Sequence, residues 1–233
     1  MSIYAISDLH LSFSVDKPMN IFGEKWNNYT ERLFENWQKT VTDDDIVVIP
    51  GDISWATYLD DCYADFKYIE SLKGKKIILK GNHDYWWTTV NKMNGYARKN
   101  SFSTLSFLQN SSVIYNSTAI CGTRGWTIKT PGYSELNEKI FEREKRRLVL
   151  SLEDAKKYNP DEIIVAMHYP PVEAENPNRD FIDIMKEYGV KKCVYGHLHA
   201  QSHKRAVTGD FDGIELILVA GDYINFEPIM LKL

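Results

Sequence analysis

Lys192 to His203 reads KCVYGHLHAQSH. The stretch opens as a short apolar run, stops at Gly196, and then sets His197, His199 and His203 within seven residues, half of the six histidines in the chain. An apolar run of this length that ends at a glycine and passes into metal-ligating side chains reads as a strand buried on both faces, seen at its carboxyl end. The same pattern recurs upstream. IYAIS from Ile3 leads to Asp8 and His10, IVVIP from Ile46 to Gly51-Asp52, KIILK from Lys76 to Gly81-Asn82-His83-Asp84, and IIVAMH from Ile163 ends on His168 itself. TAICG from Thr118 and IELILVAG from Ile214 complete the set of strand candidates.

Between these runs lie helical patterns. Leu33, Phe34, Trp37 and Val41 make one apolar stripe, and Leu59, Tyr63, Phe66, Ile69 and Leu72 another. A third helix spans about Ser134 to Tyr158 and carries the charge run EREKRR, which reads as alternating signs on a solvated face. Strand and helix alternate, so the fold class is α/β. The irregular segments Leu11–Tyr29, Thr123–Tyr133 and Pro170–Arg179 each follow a strand end, where α/β folds place their ligands.

The bulk properties narrow the function. With 233 residues, 43% hydrophobic and 26% charged, the chain reads as one globular domain over 1–233. Its net charge of −4 offers no general surface for nucleic acid, so a nucleic-acid partner is not expected. Cys62, Cys121 and Cys193 are odd in number and widely spaced, which argues against disulfides or a structural zinc site. MSIYAISDLH has no basic start followed by a long apolar run, and no stretch approaches a membrane span; a cytoplasmic protein is expected.

Five of the six histidines sit at strand exits, beside Asp8, Asp52, Asn82 and Asp84. Carboxylates, imidazoles and an amide oxygen together make a mixed nitrogen and oxygen site, suited to iron, manganese or zinc rather than calcium or magnesium. The ligands are too many for one ion. Asp8 with His10, and His197 with His199, lie two apart in extended chain and therefore aim the same way. Gly51, Gly81 and Gly196 each precede a candidate ligand, where the backbone must close on the ions. His203 lies four residues further on and is expected outside the set of direct ligands.

The ordered blocks DLH, GD, GNHD, H and GHLH, from Asp8 to His199, resemble the calcineurin-like metallophosphoesterases. The resemblance implies a four-layer αββα sandwich with two mixed β-sheets and two divalent or trivalent metal ions (Mn, Fe or Zn) at one rim. It implies that Asp8, His10 and His199 bind one ion, that Asn82, His168 and His197 bind the other, and that Asp52 bridges them. His83 would be the catalytic proton donor, oriented by Asp84. A hydroxide between the metals would attack phosphorus, making the chain a phosphoric ester hydrolase.

The substrate is legible only in outline. The protein Ser/Thr phosphatase branch carries arginines after GD and before GNH, whereas this chain has GDISWATY and LKGNHD, with Lys80 in the second place. With MHYPP at His168, a small-molecule phosphodiester or phosphomonoester is expected. Arg124, between Gly122 and Gly125, is a candidate to hold a phosphate oxygen, or else an exposed loop arginine. Tyr85, Trp86 and Trp87 are candidates to stack on a flat leaving group, with core packing the alternative for at least one tryptophan. Two rival readings remain: a metal-binding scaffold without turnover, and a nuclease.

Overall fold

The computed structural model describes residues 2–176 and 178–232. Pro177, in the segment PPVEAENPNR, lies outside the described residues.

Two sheets form. The first has the order β11-β1-β2-β3-β4, from Ile3–Ala5 (β1), Ile46–Pro50 (β2), Lys75–Leu79 (β3), Leu105–Phe107 (β4) and Ile229–Leu231 (β11). The second runs β5-β6-β7-β8-β10-β9, from Val113–Tyr115 (β5), Thr118–Thr123 (β6), Glu162–Met167 (β7), Lys192–Tyr195 (β8), Gly209–Phe211 (β9) and Ile214–Leu218 (β10). Central neighbours pair in parallel, and β11, β5 and β9 join antiparallel at the edges, so both sheets are mixed.

The period-two alternation of each strand determines the layers. Ile3, Ala5, Ile46, Val48, Ile77 and Leu79 point inward and meet Ile120, Ile164, Ala166 and Val194 of the second sheet. Tyr4, Val47, Ile49 and Ile78 point outward onto helices Tyr29–Thr40 (α1), Tyr63–Ser71 (α2) and Val90–Lys99 (α3), through Leu33, Trp37, Phe66, Ile69 and Met93. On the other side Ala119, Cys121, Val165, Met167 and Cys193 pack on Glu135–Lys156 (α4) and Asp180–Glu187 (α5), through Phe141, Leu148, Leu152 and Phe181. The result is the expected four-layer αββα sandwich. All three cysteines are buried and free.

The helix readings need adjustment. Phe34 is 39% exposed and lies off the buried stripe of α1, and Leu59 falls in a separate 3₁₀ turn before α2. Ser134 caps α4 by accepting from the Asn137 amide. The EREKRR run is not a wholly solvated face. Glu144 is fully buried, because it follows Phe141 by three residues and precedes Leu148 by four on the inward stripe of α4. It accepts from Thr123 Oγ1 at 2.8 Å and pairs with Arg147 at 2.8 Å.

Candidate metal centre and its cleft

Parallel strands deliver their carboxyl ends to one rim, and the five blocks arrive there together. Asp8, His10, Asp52 and His197 all take positive φ, between 44° and 70°. L-residues seldom occupy this left-handed region, and each such turn swings a side chain off its strand toward the centre. The turns are stitched by backbone bonds: Asp8 N to Gly51 O at 3.0 Å, His10 N to Asp52 O at 2.9 Å, and Gly196 N to His168 O at 3.1 Å. A β-carbon on Gly81 would overlap Asp52, and one on Gly196 would overlap the Asp8 carboxylate, so both positions need glycine to let these carboxylates in.

Two clusters of donor atoms result. In the first, His199 Nε2 lies 3.1 Å from Asp8 Oδ1 and 3.4 Å from His10 Nε2. In the second, Asn82 Oδ1 lies 2.6 Å from His168 Nε2 and 2.8 Å from His197 Nδ1, with the two nitrogens 3.3 Å apart. Asp52 sits between. Its Oδ1 accepts the His83 amide at 2.8 Å, while its Oδ2 is 3.7 Å from His10 Nε2 and 3.5 Å from His168 Nε2.

The chemistry of these donors fits metal ions. His168 Nδ1 lies 3.0 Å from the Pro50 carbonyl, which requires the proton on Nδ1 and leaves the Nε2 lone pair facing the Asn82 oxygen. Two acceptors at 2.6 Å repel unless a cation lies near both. Burial pushes His10 and His168 below the ordinary imidazole range and His197 down to about 3, so all three present free lone pairs near neutral pH. Asp8 is held low despite its burial by the neighbouring imidazoles, above all His199. Burial and Asp8 push Asp52 up to about 8, a repulsion between carboxylates that bound cations relieve. Burial opposes the charge on His199, yet Asp8 and Asp222 hold it up to about 10.

Asp222 is a site residue that the sequence reading missed. Its Oδ1 lies 2.8 Å from His199 Nδ1, its Oδ2 accepts the Ala200 amide at 3.1 Å, and His203 Nε2 is 3.3 Å away. It accepts from His199 Nδ1 and so leaves Nε2 directed toward Asp8 and His10, while His203 lies beside Asp222, apart from the two donor clusters. The available signal was a second Gly-Asp after a strand, Gly221-Asp222, echoing Gly51-Asp52.

Three expectations are corrected. Asp84 does not orient His83. It is fully buried and accepts from the amides of Gly81, Asp52, Ile53 and Ser54 and from the Trp86 indole, so its lone pairs are spent tying two loops together. His83 Nδ1 is left buried without a hydrogen-bond partner, and burial, with His168 and Lys17 nearby, pushes the imidazole down to about 4 rather than keeping it protonated. Arg124 turns away from the metal pocket: its guanidinium lies 3.5 Å from buried Glu144 and 4.5 Å over the Trp126 ring. Only its carbonyl serves the site, accepting the amides of His168 and Tyr169. Of the aromatic trio, Trp86 and Trp87 are core residues and Tyr85 is exposed beside the metal pocket.

The chain's residues 1–201 match the family model for calcineurin-like phosphoesterase, and the chain belongs to that family. No curated protein matches it. Among solved structures it is similar to AQ665 from Aquifex aeolicus, described as of unknown function, at 16% identity and a TM-score of 0.53, over 98% of this chain and 95% of that one. It is also similar to the phosphopantetheinyl hydrolase PptH from Mycobacterium tuberculosis, at 14% identity and 0.55, over 99% and 95%. TT1561 of Thermus thermophilus follows at 10% identity and 0.51, over 99% and 97%. At these identities the likeness shows the fold alone. No helix among the described residues is long and apolar enough to cross a membrane.

Proposed function

We propose that this family member is a binuclear phosphoesterase acting on a small-molecule phosphodiester or phosphomonoester. The observation that carries the reading is the pair of donor clusters on either side of one Asp52 oxygen. Asp8, His10 and His199 would hold one ion and Asn82, His168 and His197 the other, with manganese, iron or zinc the suitable metals. Bound there, such ions supply Lewis acidity toward phosphoryl oxygens and an activated water.

The chain's own residues do the rest. Asp52 sets the spacing of the two clusters, and Asp222 fixes the tautomer of His199 as the Pro50 carbonyl fixes that of His168. His83 borders the cleft and would pass a proton to the departing oxygen. Because no carboxylate contacts it among the described residues, the negative charge of the phosphoester itself would have to raise its proton affinity. The test is elemental analysis of the purified protein beside hydrolysis of bis-nitrophenyl phosphate and nitrophenyl phosphate. Close to two metals per chain with turnover supports the reading; bound metal with no turnover on either ester would move the scaffold reading to first place.

A further inference from the structure

A cleft of about 740 Å³ opens beside the metal pocket. His10, His83 and His199 form its inner end, Val15, Met19, Phe22, Trp26, Trp55 and Tyr85 line its wall, and Asp16 and Lys17 are the charged residues on it. Asn82, His168 and His197 do not line it, so it leaves the site on the side of His83. A group departing from phosphorus toward His83 enters this space. Phe22 and Tyr85 are 51% and 63% exposed there, an apolar mouth open to water.

Within this aromatic wall stands one lysine. Lys17 Nζ lies 3.3 Å from the centroid of the Trp55 ring, and that ring packs against His10 at 5.0 Å and His83 at 4.4 Å. The cation is thereby held on an aromatic face next to the proposed proton donor. Among the described residues no carboxylate pairs with it. A neutral apolar ligand filling the cleft would strip water from this ammonium and return nothing. An anionic group would replace that water with charge-assisted hydrogen bonds. Arg124, the other cation expected to meet substrate, is occupied by Glu144 and cannot take this part.

We propose that the cleft selects phosphoesters whose leaving group is an apolar body bearing its own negative charge, the body lying against Phe22 and Tyr85 and the charge meeting Lys17. This rests on the phosphoesterase reading. The step is simple hydrolysis: a water oxygen bonds phosphorus, the bond from phosphorus to the leaving oxygen breaks, and that oxygen takes a proton.

The test uses the metal-loaded full chain and two chromogenic diesters, phenyl nitrophenyl phosphate and its analogue with a carboxylate on the nitrophenyl ring. The charged leaving group should raise kcat/KM by about tenfold or more. Lys17→Ala should bring the ratio near one and Lys17→Arg should keep most of it, while Phe22→Ala should lower kcat/KM for both esters. Equal rates in the wild type, or a ratio that survives Lys17→Ala, overturns the proposal. Equilibrium dialysis of nitrophenol and of carboxynitrophenol separates the two readings. Preferential binding of the charged phenol that is lost in Lys17→Ala, without turnover of any ester, upholds the cleft chemistry and sinks the enzyme; turnover without that preference does the reverse.

Discussion

Replacing Asp84 by asparagine changes little in shape and much in hydrogen bonding. Oδ2 accepts from Gly81 N at 2.7 Å and Asp52 N at 2.9 Å, and Oδ1 from Ile53 N at 2.8 Å, Trp86 Nε1 at 3.1 Å and Ser54 N at 3.3 Å. Whichever way the new amide turns, its NH₂ faces at least two N–H donors that point straight at it. A buried donor left unsatisfied costs about 1–3 kcal/mol, so two of them cost about 2–6 kcal/mol. That is a large share of the roughly 5–15 kcal/mol that a domain has in total. Urea unfolding followed by tryptophan fluorescence at pH 8 reads the loss; at that pH the Asp84 carboxyl, pushed up to about 7 by burial and Asp52, is mostly ionised. The midpoint should fall clearly, and metal retention should fall with it because Asp52 is carried on the loop that Asp84 ties. An unchanged midpoint with full metal occupancy and a reduced kcat would refute this argument and restore Asp84 as the partner of His83.

Three further outcomes are expected. His83→Gln should keep both metals and lose about 10²–10⁴-fold in kcat on an ester with a basic leaving group; loss of metal with an unchanged rate per metal would show that His83 is a ligand. Asp222→Ala should weaken the ion at Asp8, His10 and His199 by about 10–100-fold and spare the other, which metal titration resolves as one shifted phase; equal weakening of both sites would contradict an action through its contact with His199. Lys76 is fully buried, and burial pushes its ammonium down from 10.5 to about 8. Between those values the unfolded chain binds more protons than the folded one, so this group makes stability rise with pH, by at most about 3 kcal/mol. Unfolding of Lys76→Met measured from pH 8 to 10.5 should lack that rise, and a parallel pH profile would disprove the assignment.

The sequence was most informative where chemistry and strand pattern coincided. Seven apolar runs appear as strands, and their polar exits converge at one rim, because a doubly buried strand has to be continuously apolar and its ligands can follow only where it ends. The edge strands β4, β5, β9 and β11 were passed over, since three residues each carry too little periodicity to read; the helices α3 and α5 were passed over as well, although Phe181, Ile182 and Met185 make a buried apolar stripe on α5 that the sequence offers. Side-chain partners were the least legible. The family resemblance makes Asp84 the companion of His83, yet its carboxylate is taken by amides of Gly81, Asp52, Ile53 and Ser54 and by the Trp86 indole. Arg124 looked free until Glu144, a distant residue on α4, proved to be buried beneath it. Asp222 lay too far from the histidine motif to be joined to it by spacing. The sequence by itself thus determined which atoms could bind metal and the order in which strands would present them. Only the tertiary structure decided which charges meet, because a buried group takes the partner that folding brings within hydrogen-bond reach, whatever its distance along the chain.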